Sequence, residues 1–354
     1  MGKITTSVLV PLILVATAAC APATGLDSGQ DSGQDAEAAY DDLANDPSGD
    51  MRRPWRPRPD RPRPTPVLPT PYGYWGLNGY VSSTGLADVS DRLGAAVFQV
   101  ANESPTWTVN TLLPMVKSAG MTVTLRMAGD HAYYTTSGNF DLDAWKDRLD
   151  LWAGSGIQAY IDDGTLVGHM VLDDIHNFSG ADPTGDQLDE MARYSKEVLP
   201  GLMTFVRCQA TTMPTPTAGV YVHLDASVNQ YQRVDATIED YVADEHAAAR
   251  ALDLGIINGL NIADGGDGSS GQAGWRTGRY AMSPEEILDY GGQLAAMPGV
   301  GMFLNWEYDG EEAWSDGSIG ADYFDQAEVQ AALAGLGEVV RAVPAMSLLR
   351  PTAL

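Results

Sequence analysis

The residues with the most chemistry to offer stand in short clusters. Asp173 and Asp174 are adjacent, Asp264 follows Asn261-Ile262-Ala263, and Glu307 follows Asn305-Trp306. Two carboxyl groups set across one bond, one protonated and one ionised, can cleave it by acid–base or nucleophilic chemistry. Neighbours on a strand point to opposite faces, so Asp173 and Asp174 cannot be that pair by themselves. A turn that brings them together would let one raise the pKa of the other. Asp174, Glu307 and Asp264 are the further carboxyl groups available for such a pair. Asp173 then orients its neighbour or holds a substrate hydroxyl. Arg126 and Arg207 either hold the acids ionised or grip a substrate carboxylate, with an internal ion pair as the plainer alternative. Gln230, Tyr231 and Asn305 offer hydrogen-bonding groups to a substrate, and Trp75 and Trp306 offer flat apolar faces.

Other chemistries are poorly served. His131, His169, His176, His223 and His246 form neither His-x-His nor His-Glu-x-x-His, the spacings zinc hydrolases use. No Gly-x-Ser-x-Gly elbow occurs. Cys20 and Cys208 are too few for a disulfide scaffold or a cysteine-based zinc cluster. A formal net charge of −26 argues against nucleic acid as a partner. No cofactor is expected. Calcium is the one candidate ion, at Asp264-Gly265-Gly266-Asp267-Gly268 or Asp309-Gly310-Glu311-Glu312, although such loops are more often simply flexible.

These residues need a frame, and the apolar runs supply one. Strands are predicted at 73–80, 95–100, 122–127, 167–173, 202–207, 221–228, 255–262 and 301–306. Their near-continuous Val, Ile, Leu, Met and Phe suit parallel strands buried on both faces. Between them, 141–152 carries Leu142, Trp145, Leu149 and Trp152 at helical spacing, which makes the two tryptophans core. Thr184 and Ser283-Pro284 start helices at 184 and 283, and 327–343 keeps the spacing through Val329, Leu333, Leu336 and Val340. The fifth unit is weak, since 211–219 is short and Pro-rich. Eight βα units predict an α/β fold, a (β/α)8 TIM barrel over 71–354. An open doubly wound sheet would want Gly-x-Gly-x-x-Gly after the first strand, and Gly76-Leu77-Asn78-Gly79 does not make it.

In such barrels the strand ends and their βα loops form the site. Arg126 ends strand three, Asp173-Asp174 strand four and Arg207 strand five. Strand six carries Asp225 and ends near Asn229-Gln230-Tyr231, while Asn261 with Asp264 and Asn305 through Tyr308 end strands seven and eight. Tyr72, Tyr74, Tyr133, Tyr134, Trp275 and Trp314 join Trp75 and Trp306 in or beside the mouth loops.

With the acids placed this way, residues 72–343 resemble the TIM-barrel glycoside hydrolase superfamily, especially its clan-A-like enzymes. Gly168-His169-Met170-Val171-Leu172-Asp173-Asp174 is similar in position to their strand-four Asn-Glu, and Trp306 to the strand-eight Trp that floors the sugar site. The resemblance departs on strand seven, where a Glu nucleophile is expected and Asp264 stands. It implies cleavage of O-glycosidic bonds in a poly- or oligosaccharide by a carboxylate pair at the mouth, with Asp174 as general acid, Glu307 as its partner and Asp264 as the reserve. The alternative it leaves open is a carbohydrate-binding protein on a barrel that has lost catalysis.

Residues 1–19 read as an export signal, with Lys3, an apolar stretch from Val8 to Val15 and a small-residue cleavage zone. Cys20 comes next, and the junction resembles the lipobox of bacterial lipoproteins, which implies a lipid anchor to the cell envelope, or secretion if Cys20 stays unmodified. Residues 20–70 then read as a disordered tether. It is acidic at first, with a repeated Asp-Ser-Gly-Gln, and then Pro/Arg-rich with six arginines. The expected molecule is an extracytoplasmic monomer held to a membrane through Cys20.

Overall fold

A computed structural model describes residues 69–75, 83–234, 236–306, 321–324 and 326–345. The predicted export signal, Cys20 and nearly all of the tether lie outside the described residues.

Eight parallel strands close into a barrel: β1 (Tyr72–Trp75), β2 (Val97–Ala101), β3 (Thr122–Arg126), β4 (Leu166–Asp173), β5 (Met203–Arg207), β6 (Ala226–Tyr231), β7 (Gly255–Leu260) and β8 (Val300–Asn305). Each pairs with its sequence neighbours and β1 pairs with β8, so no strand edge is left open. The chain is therefore a (β/α)8 barrel. The main outer helices are α1 (Ser83–Leu93), α2 (Leu113–Ser118), α3 (Leu142–Asp150), α4 (Gly185–Val198), α5 (Ile238–Ala251), α6 (Pro284–Ala296) and α7 (Ala327–Ala342). Between β5 and β6 the described chain makes only a three-residue 3-10 turn, Ala210–Thr212, where the Pro-rich sequence disfavours a helix.

The helix starts obey local chemistry. Thr184 and Ser283 each close a capping box, with Gln187 and Glu286. Pro284 occupies the first turn of α6, and Asp141 caps α3 through the Ala144 N–H. Such a cap is worth about 1 kcal/mol.

Register fixes which side chains face the barrel axis. His169 stacks on Trp145 of α3, so it faces out. The missing Gly168 side chain would meet Met203, Phe205 and Thr124, so that position faces in. Thr124, Gln99 and Trp75 are successive register partners on β3, β2 and β1 and share the inner face. Tyr72 and Phe303 pack outward toward α7, where the Tyr72 hydroxyl donates to the Leu333 carbonyl at 2.8 Å.

Strand six is not where the apolar run predicts it. The expected span is 221–228, and the strand runs Ala226–Tyr231. The Asp189 carboxylate on α4 takes the backbone N–H groups of Val222, His223 and Leu224, and Asp225 pairs with Lys196 in a buried bridge of 2.8 Å. With those amides bound to a side chain, 222–224 cannot join a ladder. Pairing starts once Ala226 reaches Phe205 and Gly255.

Candidate active site

The end of β4 organises the mouth. Met170 pairs with Phe205 and Leu172 with Val206, so the register slips by one residue around Val171. Such a bulge re-aims the side chains beyond it. Met170 shares the inner face with Phe205, yet Asp173 also faces in, as the register partner of Arg207. Strict alternation from Met170 would have turned Asp173 out and Asp174 in. The Val171 carbonyl accepts the Trp145 indole N–H at 2.9 Å, and Trp152 does the same for the Met127 carbonyl at 3.0 Å. Trp145 and Trp152 are core, as their spacing predicts, and each also ties α3 or its C-terminal extension to the end of a strand.

Asp173 sits between two guanidinium groups. Arg126 donates to one carboxylate oxygen at 2.6 Å and Arg207 to the other, and all three side chains are almost fully buried. Burial pushes this carboxyl up, but Arg207, Arg126 and His131 together hold it below the usual carboxylate range. The two arginines thus make the internal ion pair, the plainer of the alternatives their positions allow. Asp173 is an anionic anchor and is unsuited to donating a proton.

Asp174 is 2% exposed and has φ +57°, a left-handed backbone that Asp tolerates better than most residues. Its Oδ1 accepts the His176 N–H at 3.1 Å, an Asx turn that supports this conformation. Its own N–H donates to the Arg207 carbonyl at 3.2 Å. Among the described residues no cation forms an ion pair with it. Two successive carboxylates therefore occupy unlike surroundings.

Around them lie Trp75, with Arg207 6.0 Å from its ring centre, and the inward Gln99 and Gln230. The sequence presents His131 only among histidines whose spacing does not suit zinc, yet it belongs here. Its ring packs edge-on to Tyr134 and Phe178, and its Nε2 is buried with no hydrogen-bond partner. Burial lowers its pKa, opposed by Asp173 and helped by Arg126. The signal available in the sequence is its place just after Asp130, the cap of a short turn beyond β3.

Tyr231 and Asn305 need correction, because both face away from the mouth. Tyr231 packs against Tyr241 and Tyr290, and its hydroxyl donates to the Ala236 carbonyl at 3.1 Å. Asn305 is the register partner of the outward Tyr74, and its Oδ1 accepts the Leu260 N–H at 3.1 Å. Tyr72, Tyr74 and Tyr134 are core residues for the same reason of alternation or burial. Trp306 and Trp275 do meet, ring centres 5.4 Å apart. Tyr133 is exposed, with Arg148 over its ring at 4.1 Å.

Asp264 is committed elsewhere. Its two oxygens accept the Arg276 N–H at 2.9 Å and Nε–H at 2.8 Å, and its side chain is fully buried. Arg276 also reaches the Gln232 amide oxygen at 3.3 Å. Asp267, the other acid of that candidate calcium loop, accepts the Ser269 N–H at 2.7 Å. Among the described residues no three His, Cys, Asp or Glu side chains are grouped as a metal site. Glu307, Trp314 and the second candidate calcium loop lie outside the described residues.

No family model and no curated protein matches this chain. In fold it is similar to an endocellulase from Pyrococcus horikoshii solved with cellotetraose, at 11% identity and a TM-score of 0.49, covering 77% of this chain and 93% of that one. It is also similar to the catalytic domain of the major endoglucanase from Xanthomonas campestris, at 11% identity and 0.45, covering 76% and 95%. A family 30 xylanase from Clostridium acetobutylicum gives 8% identity and 0.47, covering 77% and 71%. The barrel itself is established by strand order and register, and these likenesses do not say what this chain binds or cleaves.

Proposed function

We propose that the chain is a glycoside hydrolase that cleaves O-glycosidic bonds of a poly- or oligosaccharide at the barrel mouth. The observation that carries this reading is the end of β4, where Asp173 is clamped as an anion by two arginines and Asp174 lies beside it without a cation. Glycoside hydrolysis requires one carboxyl group that can hold a proton and one that stays ionised. Asp174 is the candidate acid, Glu307 the candidate partner, and Asp173 a positioning residue that keeps Arg126 and Arg207 in place. Trp75 and the Trp306–Trp275 pair offer the aromatic surface a pyranose ring would lie on. The same proposal puts this activity outside the cytoplasm, on a lipid anchor at Cys20, with the export signal as its support.

One observation favours the second reading, a binding protein without turnover. Asp264 gives both oxygens to Arg276, so β7 and its loop offer no unengaged carboxylate in the position where a nucleophile would stand.

Reducing-sugar release by the chain over a polysaccharide panel separates the two, run beside Asp174→Asn and Glu307→Gln. Release that disappears in either variant supports the hydrolase and its pair. Retention on a glycan column with no release from any polymer supports the binding protein.

A further inference from the structure

The inner wall formed by β1, β2 and β3 carries buried hydrogen-bonding atoms with no partner among the described residues. Trp75, Gln99 and Thr124 stand side by side in register, and Arg126 is the next inward residue on β3. All four are more than nine-tenths buried. Among the described residues Trp75 Nε1, Gln99 Nε2, Thr124 Oγ1 and Arg126 Nε make no hydrogen bond, nor does Gln230 Nε2 on the inner face of β6. Each buried unpaired group costs about 1–3 kcal/mol. So many on one wall suit a polar ligand better than they suit packing.

The atoms themselves narrow the ligand. An indole N–H and a guanidinium Nε–H can only donate. Gln99 can present either end of its amide and Thr124 can donate or accept, so both adapt to what Trp75 and Arg126 require. A sugar hydroxyl could give its own hydrogen to Thr124 or to the Gln99 amide oxygen, but at Trp75 Nε1 and Arg126 Nε it meets donors alone. An oxyanion only accepts, and its bond to a cationic donor is about twice as strong as a neutral one. The formal net charge of −26 repels a polyanion at long range, but charges are screened beyond about 8 Å at physiological salt. One oxyanion inside the mouth therefore feels mainly the charges beside it, the two guanidinium groups of Arg126 and Arg207 against the one Asp173 carboxylate they share.

We infer that this wall binds a sugar bearing a single oxyanion, a carboxylate or a sulfate ester, and that Trp75 and Arg126 are the residues that recognise it. The inference rests on the reading of the mouth as a sugar site and specifies the class of sugar.

The test is calorimetric titration of the full chain with glucuronate, a glucose monosulfate and glucose, beside Trp75→Phe, which keeps an aromatic ring and removes the N–H. The expected result is one acidic sugar bound at least about tenfold more tightly than glucose, a gap of about 1.4 kcal/mol. Trp75→Phe should lose most of that preference while melting near the wild-type temperature. If Trp75→Phe does not fold, Gln99→Leu is read in the same way. Preference for glucuronate assigns the carboxylate and preference for the monosulfate assigns the sulfate, and either supports the inference. Equal binding of all three, binding of none, or a preference untouched in the variant overturns it. Reducing-sugar release on the same preparations keeps the two claims apart. Release without acidic preference overturns only the inference, and acidic preference without release overturns only the hydrolase.

Discussion

Asp173 and Arg207 are register partners on adjacent strands, and the Arg207 Nε–H donates to the Asp173 carboxylate while Arg126 closes on its other oxygen from the strand on the opposite side. The contact spans β3, β4 and β5, so it fixes three strand ends relative to one another. It also separates the roles of two neighbouring acids, because the clamped one is held ionised and the next one is not clamped.

Removing the centre of that clamp leaves two buried guanidinium groups without their shared anion. Asp173→Ala should cost about 3–5 kcal/mol, the range for breaking a buried ion pair by deleting one partner. Urea unfolding measures this, and an unchanged midpoint would mean the clamp contributes nothing. Asp174→Asn should leave the midpoint much closer to wild type while abolishing sugar release.

Acid should destabilise the fold in two stages. Burial lowers the pKa of His169 to about 3. The unfolded chain then binds this proton from about pH 6.5 downward and the folded chain does not, so stability falls as pH drops through that interval, by up to about 1.4 kcal/mol per unit. Asp173 is also depressed in the folded state, so its contribution is present above the unfolded carboxylate range, about pH 4, and is lost as pH falls through its folded value. His169→Gln should shrink the first stage to what the lowered His131 and His246 contribute, and leave the second. Unfolding midpoints from pH 7 to pH 3 test this, and a variant with the wild-type slope between pH 6.5 and 4 would exclude His169 as the cause.

Trp145 holds the bulge through a single hydrogen bond. Trp145→Phe keeps an aromatic ring against His169 and removes the donor to the Val171 carbonyl. The expected loss is about 1–2 kcal/mol of stability. Sugar release should fall further than that loss explains, because Asp173 and Asp174 would lose their alternation. Activity per folded molecule equal to wild type would show that the bulge stands without Trp145.

Arg276→Gln should unpair the buried Asp264 and loosen the segment 264–282. Limited proteolysis under native conditions should then cut within this segment faster than in wild type, with sugar release reduced less than in Asp174→Asn. The reverse order of effects would place Asp264 in the chemistry.

Cys20→Ser tests the anchor. Wild-type chain expressed in a bacterium that processes lipoproteins should sediment with membranes and incorporate labelled fatty acid. The variant should do neither, and an unlabelled wild type would leave plain secretion as the reading.

The barrel was legible because each parallel strand is buried on two faces and so reads as an apolar run, while Thr184 and Ser283 declare helix starts through groups a few residues away. Strand six is not legible at its true place, because 222–224 is held by a carboxylate on another helix and Asp189 gives no local sign that it takes those three amides. The acids at the end of β4 are legible by position, but which of the two faces inward is not. One residue of register slip at Val171 exchanges inward for outward, and the carbonyl at that slip is bonded by an indole from α3. His131 and Arg276 carry no local sign of a role, because their partners lie in other segments.

Local composition and periodicity are enough to determine that this chain alternates strand and helix and carries acids and arginines at strand ends. Which side chains meet depends on bulges, on alternation counted from a register set by neighbouring strands, and on charges brought together from distant positions. Those are properties of the closed barrel, so the tertiary structure alone decided that Asp173 joins Arg126 and Arg207, that Asp264 joins Arg276, and that Tyr231 and Asn305 face away from the mouth.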